Sequence, residues 1–359
     1  QELKEECQRV INQAKKGVRC EHVFVDCLKD ERRPIEKVNE GKTRQFNIGP
    51  FVLLILYRMY FGPFIMWYLS NHTQNGSAIG ANPFSMDWDV IARYLSKFGI
   101  QSIGAGDFSG FDGSQKPEIL WAILTMINKW FGDSSENQLI RTVLWAEVVN
   151  SSHINGSTRY RWGSSMPSGF ALTAIVNTIY VQIAFRYCYV LAHENDKLAL
   201  LHFSDNVYVI GLGDDNVFAV HPDKHTIFNE LTLAQLMKQL GLTYTTEMKG
   251  VATVPFRKLN EVTFLKRKFI YSTELHQFVA PLDIDVVLEI PYWTKTHDSF
   301  KIMCDNVENT ICELSLHGPS TYSFFVPKIF DSARRVGYTP KTDDYDVSLL
   351  TTLNTEYLF

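Results

Sequence analysis

The chain has 359 residues, 45% of them hydrophobic and 13% aromatic, enough apolar material for one large core or two to three subdomains. Charged residues make up 21%, a balance that excludes wholesale disorder. A net charge of -4 and a pI near 6.2 exclude a generally basic nucleic-acid binder, so any polyanion site must come from local clusters of Lys and Arg.

Residues 2–16 read as an amphipathic helix and residues 22–28 as a strand that runs into a charged loop. In that loop Lys29, Arg32, Arg33, Lys37, Lys42 and Arg44 alternate with Asp30, Glu31, Glu36 and Glu40. Such a run is either a solvated, salt-bridged surface or a triphosphate clamp, in which Arg offers a planar fork and Lys a point charge. Residues 51–69 are nearly all apolar and long enough to span a bilayer. Arg58 near the middle would cost about 2.5 kcal/mol or more there, and Gly62-Pro63 interrupts the run, so buried helices and no membrane span are expected.

A turn-rich segment, 75–83, precedes a helix over 88–98 and a short strand over 100–106 that ends at Asp107-Phe-Ser-Gly-Phe-Asp112. Pro117 opens a helix that closes near Gly132, and a second helix covers 135–149. Residues 152–162 read as a hairpin around Asn155-Gly156. Met166-Pro-Ser-Gly169 then opens a long apolar helix to about residue 191. Two β-rich runs, 206–210 and 216–220, flank Gly211-Leu-Gly-Asp-Asp215 as a second hairpin. A helix over 226–240 stops at Gly241. Short strands follow near Tyr244 and Phe264, and the chain is mainly helical from Pro291. His221 and His225 are spaced like a helical metal pair, but Pro222 between them makes them a loop and a helix start. The six cysteines form no Cys-x-x-Cys pair and read as free thiols of a reducing compartment. The chain opens on Gln1 with no signal-peptide pattern, as a mature chain cut from a polyprotein would, and as a truncated piece would equally. The order of elements predicts an α+β fold, an antiparallel sheet backed by helices with a separate helical C-terminal layer.

Asp107 at a strand end and Asp214-Asp215 at a hairpin tip converge if the two elements pair, since neighbouring strands lie about 4.8 Å apart. Gathered carboxylates repel one another and invite a hard cation such as Mg²⁺. Two ions about 4 Å apart suit an in-line displacement. Gly213 is expected because a side chain there would crowd a tight turn. Asp112, Ser168, Thr173 and Asn177 offer an acid, hydroxyls and an amide able to read a ribose 2′-OH, Thr173 and Asn177 lying one helical turn apart. Taken singly, Ser168 reads better as a plain helix cap and Thr173 and Asn177 as chance polar residues; two polar residues on one face of an otherwise apolar helix tilt the balance back. Lys249 follows the acids as a candidate proton donor to a leaving group, a role that contributes roughly 10²–10⁴-fold. A second basic cluster, Lys249, Arg257, Lys258, Lys266, Arg267 and Lys268, suits a nucleic-acid backbone.

Between about residues 23 and 270 the sequence resembles the RNA-dependent RNA polymerases of picornavirus-like positive-strand RNA viruses. Lys29-Asp-Glu-Arg-Arg33 with Lys37 and Gly41-Lys-Thr-Arg44 resembles motif F. Arg58-Met-Tyr-Phe-Gly62 and Gly76-Ser-Ala-Ile-Gly80 resemble the finger segments that follow it. Asp107 with Asp112 is similar to motif A, and Met166-Pro-Ser-Gly169 with Thr173 and Asn177 to motif B. Leu212-Gly-Asp-Asp215 is similar to motif C, Gly241-Leu-Thr with Lys249 to motif D, and Phe264-Leu-Lys-Arg267 to the primer-grip motif E.

The resemblance implies a right-hand fold: fingers in 1–98, palm in 99–132 and 166–270, a fingers insertion in 133–165 and a thumb in 271–359. Part of the N-terminal fingers is absent from this sequence. The resemblance also implies Asp107, Asp214 and Asp215 as ligands of two Mg²⁺ or Mn²⁺ ions. It puts Asp112, Ser168, Thr173 and Asn177 at the ribose, Lys29, Arg33, Lys37, Lys42 and Arg44 at the triphosphate, and Phe264, Leu265, Lys266 and Arg267 at primer RNA. Implied partners are an RNA template and nascent RNA, nucleoside triphosphates, a small uridylylated protein primer, other viral replication proteins and, more remotely, an RNA-containing viral particle. The implied location is the host cytoplasm at replication complexes. Leu212 stands where the family has Tyr. Two rivals remain, a reverse transcriptase-like polymerase and a dead palm serving as an RNA-binding scaffold. Asp112 and Asn177 speak against the first, and the intact acids against the second.

Overall fold

A computed structural model describes residues 1–294 and 299–353. Two four-stranded sheets organise the chain. The first contains β1 (Val23–Leu28), β2 (Gln45–Ile48), β4 (Ser152–Asn155) and β5 (Thr158–Arg161) in the order β2-β1-β4-β5, with β1 and β4 parallel. It thus joins the N-terminal basic loop to the hairpin expected around Asn155-Gly156.

The second sheet is fully antiparallel, in the order β6-β7-β3-β8, from β3 (Ile103–Ser109), β6 (Val207–Leu212), β7 (Asp215–Val220) and β8 (Thr243–Thr246). Strand β3 is central and buried along nearly its whole length, which explains its run of small and apolar residues. Gly106 is required by close approach. A Cβ there would lie 2.1 Å from the Tyr244 hydroxyl, which crosses β3 to donate to Asn216 Oδ1 at 2.8 Å. Helices Pro117–Phe131, Thr173–Ala192 and Glu230–Gln239 cover one face of this sheet. Phe185 packs edge-on against Phe218, Phe228 and Tyr244 there. The other face carries helix Met86–Leu95, with Trp88, Ile91 and Leu95 against Ile103, Ala105 and Val217.

Behind β3, the buried Glu230 accepts from the Ala105 N–H at 2.9 Å, and Arg257 donates to the Ala105 carbonyl at 3.2 Å. Arg257 also pairs with Glu230 and Glu247, each at 2.7 Å. The strand's backbone is thereby pinned just before Asp107. Helices Ser299–Ser315, Pro319–Arg335 and Tyr345–Leu353 form a C-terminal layer with its own apolar core around Ile311, Leu314, Tyr322 and Phe330.

Several expectations are corrected. Residues 51–70 form one unbroken helix, Phe51–Ser70, through Pro63. The proline deprives only the Met59 carbonyl of its helical donor, and Met59 is exposed, so water can serve it. This helix and Thr173–Ala192 are each long and apolar enough to cross a membrane by length and composition. Here the first buries Leu53, Leu56, Tyr57, Phe61 and Phe64 in the main core. Strand β3 runs through Asp107 instead of ending before it. The helix after Gly169 begins only at Thr173, so Ser168 is not its cap. The helix placed over 226–240 begins at Glu230, because Asn229 caps it by accepting from the Leu231 and Thr232 N–H groups.

Candidate active site

Asp107 lies on the central strand, paired with Thr245 of β8. Its Oδ1 accepts from the Phe108 N–H at 2.8 Å, and its Oδ2 is 3.0 Å from Lys249 Nζ. On the opposite neighbour, Leu212 pairs with Asp215, leaving Gly213 and Asp214 as a two-residue turn. Gly213 has φ +66, and a Cβ there would meet nothing within 4 Å. The turn therefore demands glycine for its backbone conformation, not for lack of room as the sequence suggested. The Gly213 N–H donates to Thr178 Oγ1 at 2.8 Å, which ties the hairpin tip to helix Thr173–Ala192.

Register sets the acids close: Gly106 pairs with Asn216 in the antiparallel β3–β7 ladder, which puts Asp107 opposite Asp215 at the hairpin end. Burial first, then the charges of Asp107, Asp215 and Asp112, push the Asp214 carboxyl up to about 7. Asp215 is raised by burial and by Asp107, against the opposing pull of Lys249 and Lys266. Burial also raises Asp112, against the Asn177 hydrogen bond and the charge of Lys29. Burial thus raises three of the acids, Asp112, Asp214 and Asp215.

Among the described residues, no three Asp, Glu, His or Cys side chains are gathered tightly enough to ligate one ion between them. Lys249 supplies countercharge to Asp107. The donor chemistry nonetheless fits a hard divalent ion. Every donor is a carboxylate oxygen, and burial leaves the negative charges undercompensated.

Beside the acids, Asn177 Nδ2 donates to Asp112 Oδ1 at 3.2 Å, so these two candidate ribose residues are brought together. Thr173 is not brought to them: its hydroxyl donates to the Pro167 carbonyl at 2.6 Å. Ser168 is held by a residue the sequence gave no reason to single out. Asn47, 3% exposed, donates its N–H to the Ser168 carbonyl at 2.7 Å and accepts the Ser168 N–H on Oδ1 at 2.9 Å. Asn47 Nδ2 in turn donates to Asp26 at 2.7 Å, where Tyr160 and His153 also converge. Ser151 Oγ lies 2.8 Å from His153 Nε2, so serine, histidine and aspartate stand in the order of a hydrolytic triad. Ser151 and His153 are wholly buried, so no substrate reaches them and the array is a lock.

The basic loop divides. Glu31 binds Arg44 in a two-pronged pair, with Nε at 2.7 Å, and has Arg33 Nε at 3.8 Å. Arg33 also donates to the Lys42 carbonyl at 3.2 Å. Glu31, and more weakly Asp214, hold the Arg44 guanidinium above its ordinary pKa against the opposing effect of burial. The charge of Lys29 opposes the rise at Asp112, and Arg44 feels the charge of Asp214, so the fields of both reach the acids. Lys37, on the short helix Ile35–Asn39, and Lys42, paired with Glu40 at 2.8 Å, are exposed.

The segment assigned to primer RNA also divides. Phe264 is buried beside Trp88. Arg267 pairs with Glu313 at 2.7 Å and donates to the Ala280 carbonyl at 2.6 Å, bracing the C-terminal layer. Leu265 is partly buried against the core. Leu265 and Lys266 both have positive φ, at +53 and +64, and form the tip between β9 (Thr263–Phe264) and β10 (Arg267–Lys268). Lys266 alone is exposed, on the side of Asp215. Phe264 and Arg267 are thus corrected from RNA contacts to supports of the turn that presents Lys266.

A family model described as viral RNA-dependent RNA polymerase matches residues 1–334, and the chain belongs to that family. The replicase polyprotein of Cricket paralysis virus is 36% identical over 348 residues, covering 93% of this chain and 20% of the polyprotein. That of Acute bee paralysis virus is 39% identical over 320 residues, covering 86% of this chain and 17% of the polyprotein. The chain therefore spans about a fifth of the length of these relatives. Its fold is that of the Sicinivirus 3Dpol RNA dependent RNA polymerase, with a TM-score of 0.77 at 20% identity over 97% of this chain and 71% of that one.

Proposed function

We propose that this chain catalyses template-directed RNA synthesis, transferring a nucleotidyl group from a nucleoside triphosphate to an RNA 3′-OH and releasing pyrophosphate. The observation that carries the reading is the strand register that sets Asp107 opposite Asp215 at the Gly213-Asp214 turn, together with the Asp112–Asn177 hydrogen bond. Asp107, Asp214 and Asp215 would hold Mg²⁺ or Mn²⁺, which when bound supplies Lewis-acid activation of the 3′-OH and charge stabilisation at the leaving oxygen.

The chain's own residues do the rest. Arg33, Arg44 and Lys29 bind the triphosphate by exchanging Glu31 for phosphate oxygens, a trade favoured because phosphate carries more charge than one carboxylate. Lys37 and Lys42 guide its approach from the rim. Asp112 accepts from the ribose 2′-OH and Asn177 donates to it. Lys249 leaves Asp107 when the acids gain other countercharge, and its ammonium then gives a proton to the pyrophosphate oxygen. Lys266 lies against nascent RNA. The chemistry calls for template and product RNA and nucleoside triphosphates; a protein primer, other viral replication proteins and a place at replication complexes in the host cytoplasm are carried over from the resemblance alone.

The test is incorporation of labelled nucleotide by the full-length polymerase on a primed RNA template. Loss of several kcal/mol of charge stabilisation corresponds to about 10³-fold or more in rate. Asp214→Ala should fall that far while still folding, and retained incorporation would defeat the assignment. Equal use of deoxynucleotides by the unmodified enzyme would instead favour a reverse transcriptase-like activity.

A further inference from the structure

The contact between Asn177 and Asp112 depends on which end of the Asn177 amide faces the acid. The oxygen only accepts and the nitrogen only donates, and the terminal torsion of Asn is too soft to choose between them. Turned over, the amide would present an acceptor to a carboxylate and leave nothing to donate toward a sugar hydroxyl.

The Asp112 carboxylate calls for the nitrogen, and Gln115 anchors the oxygen end. It lies in the bend between the helical turn Phe111–Ser114, which carries Asp112, and helix Pro117–Phe131. Its side chain is 4% exposed, and its Nε2 donates to Asn177 Oδ1 at 2.7 Å. With that oxygen occupied, Nδ2 is the end left for Asp112, 3.2 Å away. The bend itself is fixed on three sides. Tyr180 accepts the Lys116 N–H at 2.7 Å, Ser164 Oγ donates to the Gln115 carbonyl at 3.4 Å, and Ser165 Oγ donates to the Asp112 carbonyl.

Gln115 Oε1 finds no partner among the described residues although it is buried. A buried acceptor without a donor is unfavourable, and an apolar side chain of the same size would avoid that penalty. The amide is therefore present for its donor end.

We propose that Gln115 is a positioning residue for sugar selection. The relay Gln115 to Asn177 to Asp112 has a single donor direction: the Asp112 carboxylate, which can only accept, fixes it at one end, and the Gln115 N–H holds the Asn177 oxygen in place at the other. The Asp112 end is left with a donor N–H beside an acceptor oxygen, the pair that a hydroxyl able to donate and accept can satisfy together and that a deoxyribose cannot. This rests on the ribose reading given above.

The test compares ATP with 2′-deoxyATP in single-nucleotide incorporation by the full-length polymerase, with kcat and KM resolved for each. Gln115→Met keeps the bulk and removes the amide. Gln115→Glu keeps size and polarity but places an acceptor against Asn177 Oδ1, and it serves if the first variant folds poorly. One hydrogen bond's worth of discrimination predicts a ribose preference about 3- to 10-fold lower in Gln115→Met and lower still in Gln115→Glu. The loss should fall on kcat/KM for ATP alone. In an Asn177→Ala background, Gln115→Met should leave the remaining preference unchanged. Equal losses for both nucleotides, with their ratio preserved, would reduce Gln115 to a packing residue and overturn the proposal. An unaltered ratio in Asn177→Ala alone would be a different failure, since it would remove the ribose reading itself.

Discussion

Asn47→Ala is the sharpest test of how the Ser168 loop is held. The substitution deletes the acceptor of the Ser168 N–H and a donor to Asp26, while the Asn47 N–H to Ser168 carbonyl bond survives because it belongs to the backbone. A stranded N–H costs about 1–3 kcal/mol. The lost bond to a charged acceptor adds about 1.5 kcal/mol at the low end of its range, since Asp26 keeps Tyr160 and His153. Together these predict a loss of roughly 3 kcal/mol in urea-induced unfolding, with a raised KM for nucleotide in the surviving folded enzyme. Asn47→Asp separates the two contacts, because it preserves an acceptor for Ser168 but sets a carboxylate against Asp26. Two such acids are tolerated only while they share a proton, so that variant should lose stability relative to the parent as pH rises through the carboxylate range. A change under about 0.5 kcal/mol in Asn47→Ala, the level of an ordinary surface substitution, with KM unmoved, would refute the idea that Asn47 holds Ser168 in place.

Further tests address the frame around the site. Glu147 accepts the N–H groups of Cys20, Glu21 and His22 at 2.6, 2.9 and 3.1 Å; burial opposes its ionisation, but contacts with His22, the Glu21 N–H and Arg19 prevail and hold its pKa below the usual value. Its contribution is therefore fully present above the unfolded-state pKa and lost as pH falls through the lower folded value, so the stability gap between parent and Glu147→Gln, measured by thermal unfolding, should be widest near neutrality and close in acid. Gly106→Ala forces a methyl into the Tyr244 ring and should cost roughly 1–3 kcal/mol, as overpacking does; an unchanged melting temperature would show that the ring can move aside. Lys266→Ala should weaken RNA binding and lower its salt slope by about 1, whereas Arg267→Ala should lower the unfolding temperature with no change in that slope.

The layout of the second sheet was legible because its signals are local. Asp107 and the Asp214–Asp215 tip sit on runs whose alternation, turn residues and flanking helices predict antiparallel partners, and pairing alone then brings the acids together. Helix starts were less legible. Asn229 outcompetes Thr226 because its side chain satisfies two N–H groups at once, a difference that apolar spacing does not register. What sequence could not supply was the support behind the site. Asn47 and Gln115 are neutral polar residues with no spacing signature, and their importance arises from contacts 121 and 62 residues away along the chain. Charge alone also misled, since Arg267 belongs to the same basic run as Lys266 but turns inward to Glu313.

Asn177 and Thr178 are consecutive on one helix, and one touches Asp112 while the other bonds to Gly213 at the hairpin tip. A rotation or slide of that helix displaces both contacts together. Under the proposed function, the sugar check and the alignment of the acids would share that one helix, and a nucleotide seated badly at its 2′ position would disturb both.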